Sequence, residues 1–275
     1  MVSTIYGGFD QLIYTSTSNT DCSVAKPYGV TTRLSPILDT SNINVRGTGR
    51  RGLYDILLGM RQPQFTMDIL PTDMAFITEY QDGQTMPPYF HYVYEEGTAG
   101  LTFTTPLFNR ISVEARHNEA IMATIEVWAD SVELLGPTVS SWKSLTPVQP
   151  YRWLDSKLRI EDTDPVDDWW SWRYEVNNNL QRLGDADTGG TRAIKMRHKE
   201  VTGLIVRDLT DYSEWNSLMS AQDKFNITIK VRKPGSGTWV PLLQQPYCRW
   251  NRLEAPVGPE DLQAKRFPFT AIDNT

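Results

Sequence analysis

The feature that most constrains this chain is an order of residue patterns that runs through it twice, so its fold must be one that a duplicated unit can build. In the second copy Glu200 opens a strand-like run to Leu209, followed by Thr210 and Asp211. Tyr212, Trp215, Leu218 and Met219 then recur at helical spacing. Asp211 with Glu214 three residues on is a capping-box arrangement, which predicts a helix over 211–222. Phe225, Ile227, Ile229 and Val231 alternate with Asn226, Thr228, Lys230 and Arg232, the period of two of a strand with one wet face. About 138 positions earlier the same order appears: 64–70 alternates, Thr72 and Asp73 follow, Met74, Ile77 and Tyr80 are helically spaced, and 89–95 alternates again. Downstream, Phe108, Asn109, Arg110 and Ile111 answer Trp250, Asn251, Arg252 and Leu253, each group a few residues after a proline, Pro106 or Pro246. Glu119, Ile121 and Ala123 answer Glu260, Leu262 and Ala264.

A length of 275 residues accommodates two such units, and the repeat divides the chain into residues 1–145, with an N-terminal extension, and 146–275. With 40% hydrophobic and 22% charged residues, each unit can bury a core without metals or disulfides. Nine tryptophans and twelve tyrosines favour strand surfaces and interfaces over a helical bundle. A net charge of −6 argues against a protein that grips nucleic acid through its phosphates. Cys22 and Cys248 form no C-x-x-C pair and no disulfide framework, and are read as two thiols in a reducing cytoplasm. The first residues lack the basic start and apolar core of a signal peptide, and no apolar run approaches a membrane span, so the chain is expected to be made and kept in solution.

Residues 1–30 read as an extension that adds a strand or an arm. The first strand of the first unit falls within 31–45. Its counterpart is clearer, with Trp172, Tyr174, Val176, Asn178 and Leu180 in phase. A glycine-rich polar loop follows each: Arg46, Gly47, Gly49, Arg50, Arg51 and Gly52 in 46–52, and Gly184, Asp185, Asp187, Gly189 and Gly190 in 184–191. Leu101, Phe103 and Thr105, then Ile111, Val113 and Ala115, then Ile121 to Ala129 at every second position, supply further strands. The link over 134–150 is rich in proline and serine. Pro268 marks the last strand, 262–272, as an edge or bulged one. The expected fold is mainly β, of the α+β kind: two tandem antiparallel sandwiches or barrels, each with one short helix.

Gly47, Gly49 and Gly52 match the dinucleotide spacing G-x-G-x-x-G, but that fingerprint needs a parallel βαβ unit, and the chain around it alternates as antiparallel strands do. A glycine-rich surface loop is the favoured reading. Glu161, Asp162, Asp164, Asp167 and Asp168 lack the spacing of a calcium loop and read as a solvated turn. His91, His117 and His198 are far apart, and His91 reads as a strand-surface residue. Trp169, Trp170 and Trp172 allow a sugar-binding platform, although Trp172 runs in phase with core residues. With no nucleophile elbow and no metal spacing, the sequence predicts a non-enzymatic protein without cofactor or metal.

Two tandem β-rich units, each with one short helix and a long polar loop after its opening strand, resemble the tail tube proteins of tailed phages and tailed archaeal viruses. The resemblance lies in 170–183 with Asn177, Asn178 and Asn179, in 202–206, in the helix 211–222 and in the strand 225–232, with weaker echoes in the first half. It implies a virion protein, made in the host cytoplasm, whose units join sheets around a lumen. Three chains would then make a pseudo-hexameric ring, and rings would stack into a tube that DNA transits without specific binding. Partners implied are further copies, the tape measure, baseplate and terminator, and no membrane. The two glycine-rich loops are then the candidate contacts between subunits or rings. Another tail component of this fold (a tube initiator, terminator or baseplate protein) and a carbohydrate-binding β-sandwich module are the alternative readings.

Overall fold

The computed structural model describes residues 12–17, 26–27, 29–39, 43–45, 55–57, 61–81, 86–95, 99–134, 149–161, 169–185, 187, 190–208, 224–251 and 264–272. The first half contains β1 (Leu12–Ser16), β2 (Lys26–Pro27), β3 (Gly29–Asp39), β4 (Ile43–Val45), β5 (Asp55–Leu57), β6 (Gln62–Pro71), the helix α1 (Ala75–Tyr80), β7 (Tyr89–Glu95), β8 (Ala99–Thr104), β9 (Leu107–Arg116), β10 (Met122–Trp128) and β11 (Ser131–Leu134). After a 3-10 turn at Trp153–Asp155 come β12 (Ser156–Ile160), β13 (Trp169–Asn177), β14 (Leu180–Gly184), β15 (Thr191–Met196), β16 (Glu200–Asp208), β17 (Phe225–Val231), β18 (Val240–Trp250) and β19 (Ala264–Ala271). The fold is mainly β and its sheets are antiparallel. The N-terminal stretch contributes strands, since β1 pairs with β7 and with β2.

A ten-stranded sheet runs in the order β12-β17-β18-β19-β16-β13-β9-β10-β6-β3, a five-stranded sheet in the order β11-β8-β7-β1-β2, and β4-β5 and β14-β15 are separate hairpins. The pairings of the first half recur in the second. Asp39 opposite Gln62 in β3·β6 becomes Asn177 opposite Glu200 in β13·β16, with both partners 138 positions further along. The register slip between Thr31 and Arg33 becomes one between Trp169 and Ser171, at the same offset. A bulge places one extra residue in one strand, so its return at an equivalent position is a stronger mark of duplication than alternation alone. Likewise β1·β7 matches β12·β17, β4·β5 matches β14·β15, and β10·β6 matches β16·β19. Phe108 opposite Val127 is answered by Trp250 opposite Phe269, as the residue match of Phe108 to Trp250 requires. One correspondence shifts: Ala123 opposite Ile69 is answered by Lys265 opposite Arg207, so Ala123 matches Lys265 and not Ala264.

Between the two halves β9 pairs with β13, so the large sheet runs through both. The halves also differ at a corner. In the first, the chain turns at Thr105, with φ 51°, between β8 in the small sheet and β9 in the large one. In the second, β18 runs through Pro246, so its start pairs with β17 and its last residues with β19.

Alternation does the sorting expected of it. Phe65, Met67 and Ile69 of β6, Ile111, Val113 and Ala115 of β9, Ala123, Ile125 and Val127 of β10, Trp172, Tyr174 and Val176 of β13, and Phe267 and Phe269 of β19 are buried on one side of the large sheet. Helix α1 covers part of this core with Phe76 and Ile77, and Phe76 sets its ring edge-on to Phe108 at 5.1 Å. Its first turn is capped by Asp73, whose Oδ1 accepts the Ala75 N–H at 3.0 Å. The counterpart over 211–222 lies outside the described residues.

Two local expectations are corrected. His91 is not on a surface: Phe90, His91 and Tyr92 are buried in succession, so β7 is covered on both faces, and His91 Nδ1 lies 3.0 Å from Thr102 Oγ1. Pro268 is not on an edge, since β19 lies between β16 and β18. The Pro268 carbonyl points toward β18, where it accepts the Asn251 N–H at 2.9 Å. A strand residue's nitrogen and carbonyl point the same way, so the missing donor faces the side where the β18 pairing ends and the ladder to β16 keeps its donors.

Candidate functional site

The two glycine-rich segments connect equivalent hairpins. Arg46, Gly47, Gly49, Arg50, Arg51 and Gly52 lie outside the described residues, between β4 and β5. Those strands pair antiparallel, and β5 stands where a dinucleotide fingerprint needs a helix, which removes the nucleotide reading. In the second hairpin Gly184 ends β14, the Asp185 N–H donates to the Gly190 carbonyl at 2.9 Å, and the Asp187 N–H donates to Asp185 Oδ1 at 3.0 Å. Gly189 lies outside the described residues. Gly184 and Asp187 are exposed at the tip.

The base of this hairpin is docked on the first half by a residue that the sequence reading passed over. Arg182 donates to the Ala129 carbonyl at 2.9 Å and the Pro63 carbonyl at 2.6 Å, and its guanidinium lies 4.8 Å from the Trp128 ring centroid. Burial pulls its pKa down to about 10, opposed by the charge of Asp130. Nothing in local periodicity marks Arg182, because its partners in the first half are more than fifty residues away.

The seam between halves is β9·β13, with Arg110 opposite Asn177 and Arg116 opposite Ser171 at its ends. The three asparagines finish it. The Asn179 N–H donates to Asn177 Oδ1 at 3.0 Å, and Asn179 takes φ 46°, a left-handed turn that asparagine tolerates. Asn178 is buried between them: its N–H donates to the Asn109 carbonyl at 2.8 Å and its Nδ2 to the Phe108 carbonyl at 2.9 Å. The Leu180 N–H adds a bond to Asn109 Oδ1 at 3.0 Å.

The face of the large sheet opposite its core is polar and forms a shallow cleft of about 400 Å³, lined among others by Thr66, Arg110, Glu114, Thr124, Glu126 and Glu175. Its charges are matched, one pair across the seam and two within a single strand. Arg110 meets Glu175 at 2.6 Å, Arg173 reaches the same carboxylate at 3.4 Å, and Arg116 meets Glu114 at 2.6 Å. Glu126 accepts from Asn109 Nδ2 at 2.9 Å and Trp128 Nε1 at 2.8 Å. Hydrogen bonding to Glu175 raises the Arg110 pKa. Ser112 Oγ accepts from Arg173 Nε at 3.0 Å, so its neighbour is a cation and not a base that would activate it. The arrangement is a ladder of satisfied charges.

Of the three tryptophans, Trp172 is fully buried with Nε1 donating to Ser156 Oγ at 3.3 Å, and Trp169 is buried against Trp153 at 4.8 Å. Only Trp170 is half-exposed, so the three do not form a sugar platform. Glu161 is exposed at the end of β12 with φ 56°, and Asp162, Asp164, Asp167 and Asp168 lie outside the described residues. Among the described residues no cluster of three or more His, Cys, Asp or Glu side chains could hold a metal ion, and no helix is long and apolar enough to cross a membrane. Burial pushes the Cys248 thiol up to about 12, and Cys22 lies outside the described residues. No protein-family model and no curated protein matches the chain.

Proposed function

We propose that this chain is a structural virion protein, a two-unit tail tube subunit comprising residues 1–145 and 146–275, which assembles into three-chain rings that stack into a DNA-conducting tube. One observation carries the reading. The large sheet places β3-β6-β10-β9 beside β13-β16-β19-β18, which is the same strand order repeated in the same direction along the sheet, joined at β9·β13. A joint that relates equivalent units by translation or rotation can be used again, and β3, the counterpart of β13, ends the sheet with Ile37 and Leu38 about half exposed at 47% and 54%. A second copy joining there would extend the sheet as the chain's own second half does.

In such a ring the polar face, with Arg110, Arg116 and Arg173 matched by Glu114, Glu126 and Glu175, would line the lumen. A wall of compensated charge offers passing phosphates no concentrated basic surface to grip. The hairpin tips at Gly184 and Asp187, and their counterparts in 46–52, remain the candidate contacts between rings. The test is negative-stain microscopy with light scattering across a concentration series. Rings of three chains or hollow tubes with a regular axial repeat are expected, and Leu38→Asp should abolish them while leaving a folded monomer. A wild-type protein that stays monomeric at every concentration would refute the proposal.

A further inference from the structure

The outer layer of the second half carries a concentration of positive charge that neither the fold nor the tube reading requires. Strands β12, β17 and the start of β18 pair side by side, and β12 ends the sheet. Leu158, Ile227, Ile229 and Val231 point to the core, while Lys157 and Arg159 of β12 and Lys230 of β17 lie on the other face, with Arg232 and Lys233 just beyond. Lys157 stands directly opposite Lys230. Like charges facing each other across a ladder are destabilising unless an anion compensates them. Lys157 Nζ and Arg232 Cζ lie 4.7 and 4.8 Å from the centroid of the same ring, Trp239, which gathers two cations at one spot. The carboxylate that meets Arg232, Asp155, is buried, accepts from Arg152 Nε at 3.0 Å and lies 3.9 Å from Arg232 Nε. Among the described residues, Lys157, Arg159, Lys230 and Lys233 are in no ion pair.

The matching layer of the first half is different. The sequences of β1, β7 and β8 contain no lysine or arginine, and the chain as a whole is acidic at −6. The duplication copied the strands and not this charge. Lysine on an edge strand often serves to repel other strands, but here the charge extends inward to Lys230 and Arg232. An edge-blunting role does not need residues on the second strand.

We propose that this face binds an extended acidic segment of another protein, which adds as a strand to the edge of β12 that no described strand pairs. Alternate residues of such a segment would repeat about 6.8 Å apart, the same spacing as Lys157 and Arg159 on β12. Backbone pairing would supply affinity, and the lysines and arginines would select carboxylates while rejecting β12 of a second copy, whose edge is equally basic. This inference stands independently of the tube reading.

The probe is a fluorescent twelve-residue peptide of alternating glutamate and threonine, with its glutamine analogue and a single-stranded oligonucleotide of similar length as comparisons, read by anisotropy at physiological salt. The glutamate peptide is expected to bind at least about tenfold more tightly than either comparison. The Lys157→Gln/Lys230→Gln variant should lose about tenfold, and Lys157→Arg/Lys230→Arg should retain binding. Hydrogen exchange supplies a readout that needs no variant: the peptide should slow exchange of β12 amides. Equal binding of the glutamine peptide, undiminished binding by the Gln variant, unchanged β12 exchange or preference for the oligonucleotide would each overturn the proposal.

Discussion

Replacing Gly203 with alanine tests both the packing of the second half and its relation to the first. At the cross-strand position where β6 has Phe65 opposite Val127, β16 has Gly203 opposite Phe269, so the large side chain has changed strands. A Cβ on Gly203 would lie 2.3 Å from the Phe269 ring and 2.8 Å from the Arg173 carbonyl oxygen. Phe269 is fully buried, so its ring has no solvent to move into, and the Arg173 carbonyl belongs to the backbone of a paired strand. At an open strand position Gly→Ala stabilises by ~0.4–1 kcal/mol through the unfolded chain. Here overpacking should win, and Gly203→Ala should cost about 1–3 kcal/mol. Phe269→Ala alone should cost about 3–5 kcal/mol through the cavity it leaves. With the ring gone the two closest contacts of the new methyl are removed and the carbonyl remains, so the double variant should fall short of additivity by about 1 kcal/mol. Urea unfolding followed by tryptophan fluorescence reads all three, with an unchanged slope required for the comparison. A neutral or stabilising Gly203→Ala, or strict additivity, would refute the reasoning.

Arg182→Ala should destabilise by about 2–4 kcal/mol, since two backbone carbonyls lose a charged donor, and amide exchange in β14 and β15 should accelerate selectively. Asn178→Leu should cost about 1–3 kcal/mol by leaving the Phe108 carbonyl without its donor, measurable by the same urea titration. Cys248 should resist alkylation at pH 8 in the native protein and react once unfolded. Because its folded pKa lies above its unfolded value, the stability it contributes is intact below about pH 9 and is lost as pH rises toward 12, a decline that Cys248→Ala should remove from the alkaline stability profile. Arg182, with its pKa lowered toward about 10, should act in the opposite sense, stability rising with pH between that value and its unfolded one.

The features legible in the sequence were those that local periodicity encodes. Alternation at Phe225, Ile227, Ile229 and Val231 and at Trp172, Tyr174 and Val176 located strands and their buried faces, and the order of such segments exposed the duplication. What periodicity cannot encode is what covers a face or ends a neighbour. His91 was misplaced because burial on both sides depends on which layers cover β7. Pro268 was misplaced because its cost depends on where β18 stops. The role of Arg182 needed the ends of β6 and β10 to be brought to it. The glycine-rich segments read as loops in the sequence, and that each follows a strand paired with the next one, β4 with β5 and β14 with β15, is a pairing that strands so short do not announce by alternation. The basic outer layer was visible only as scattered lysines and arginines until β12 was placed beside β17.

The seam between β9 and β13 also has a kinetic consequence. Two units on one chain meet at an effective concentration set by their tether, not by how much protein the cell has made, so this contact forms without a diffusional encounter. If rings are built as proposed, every second joint is already closed when a chain leaves the ribosome, and fewer encounters separate free subunits from a nucleus. Orientational and translational entropy is lost once for two units instead of twice. Assembly should then have a lower threshold concentration and a shorter lag than the same units made as separate chains, and cutting the chain between its halves would lengthen that lag.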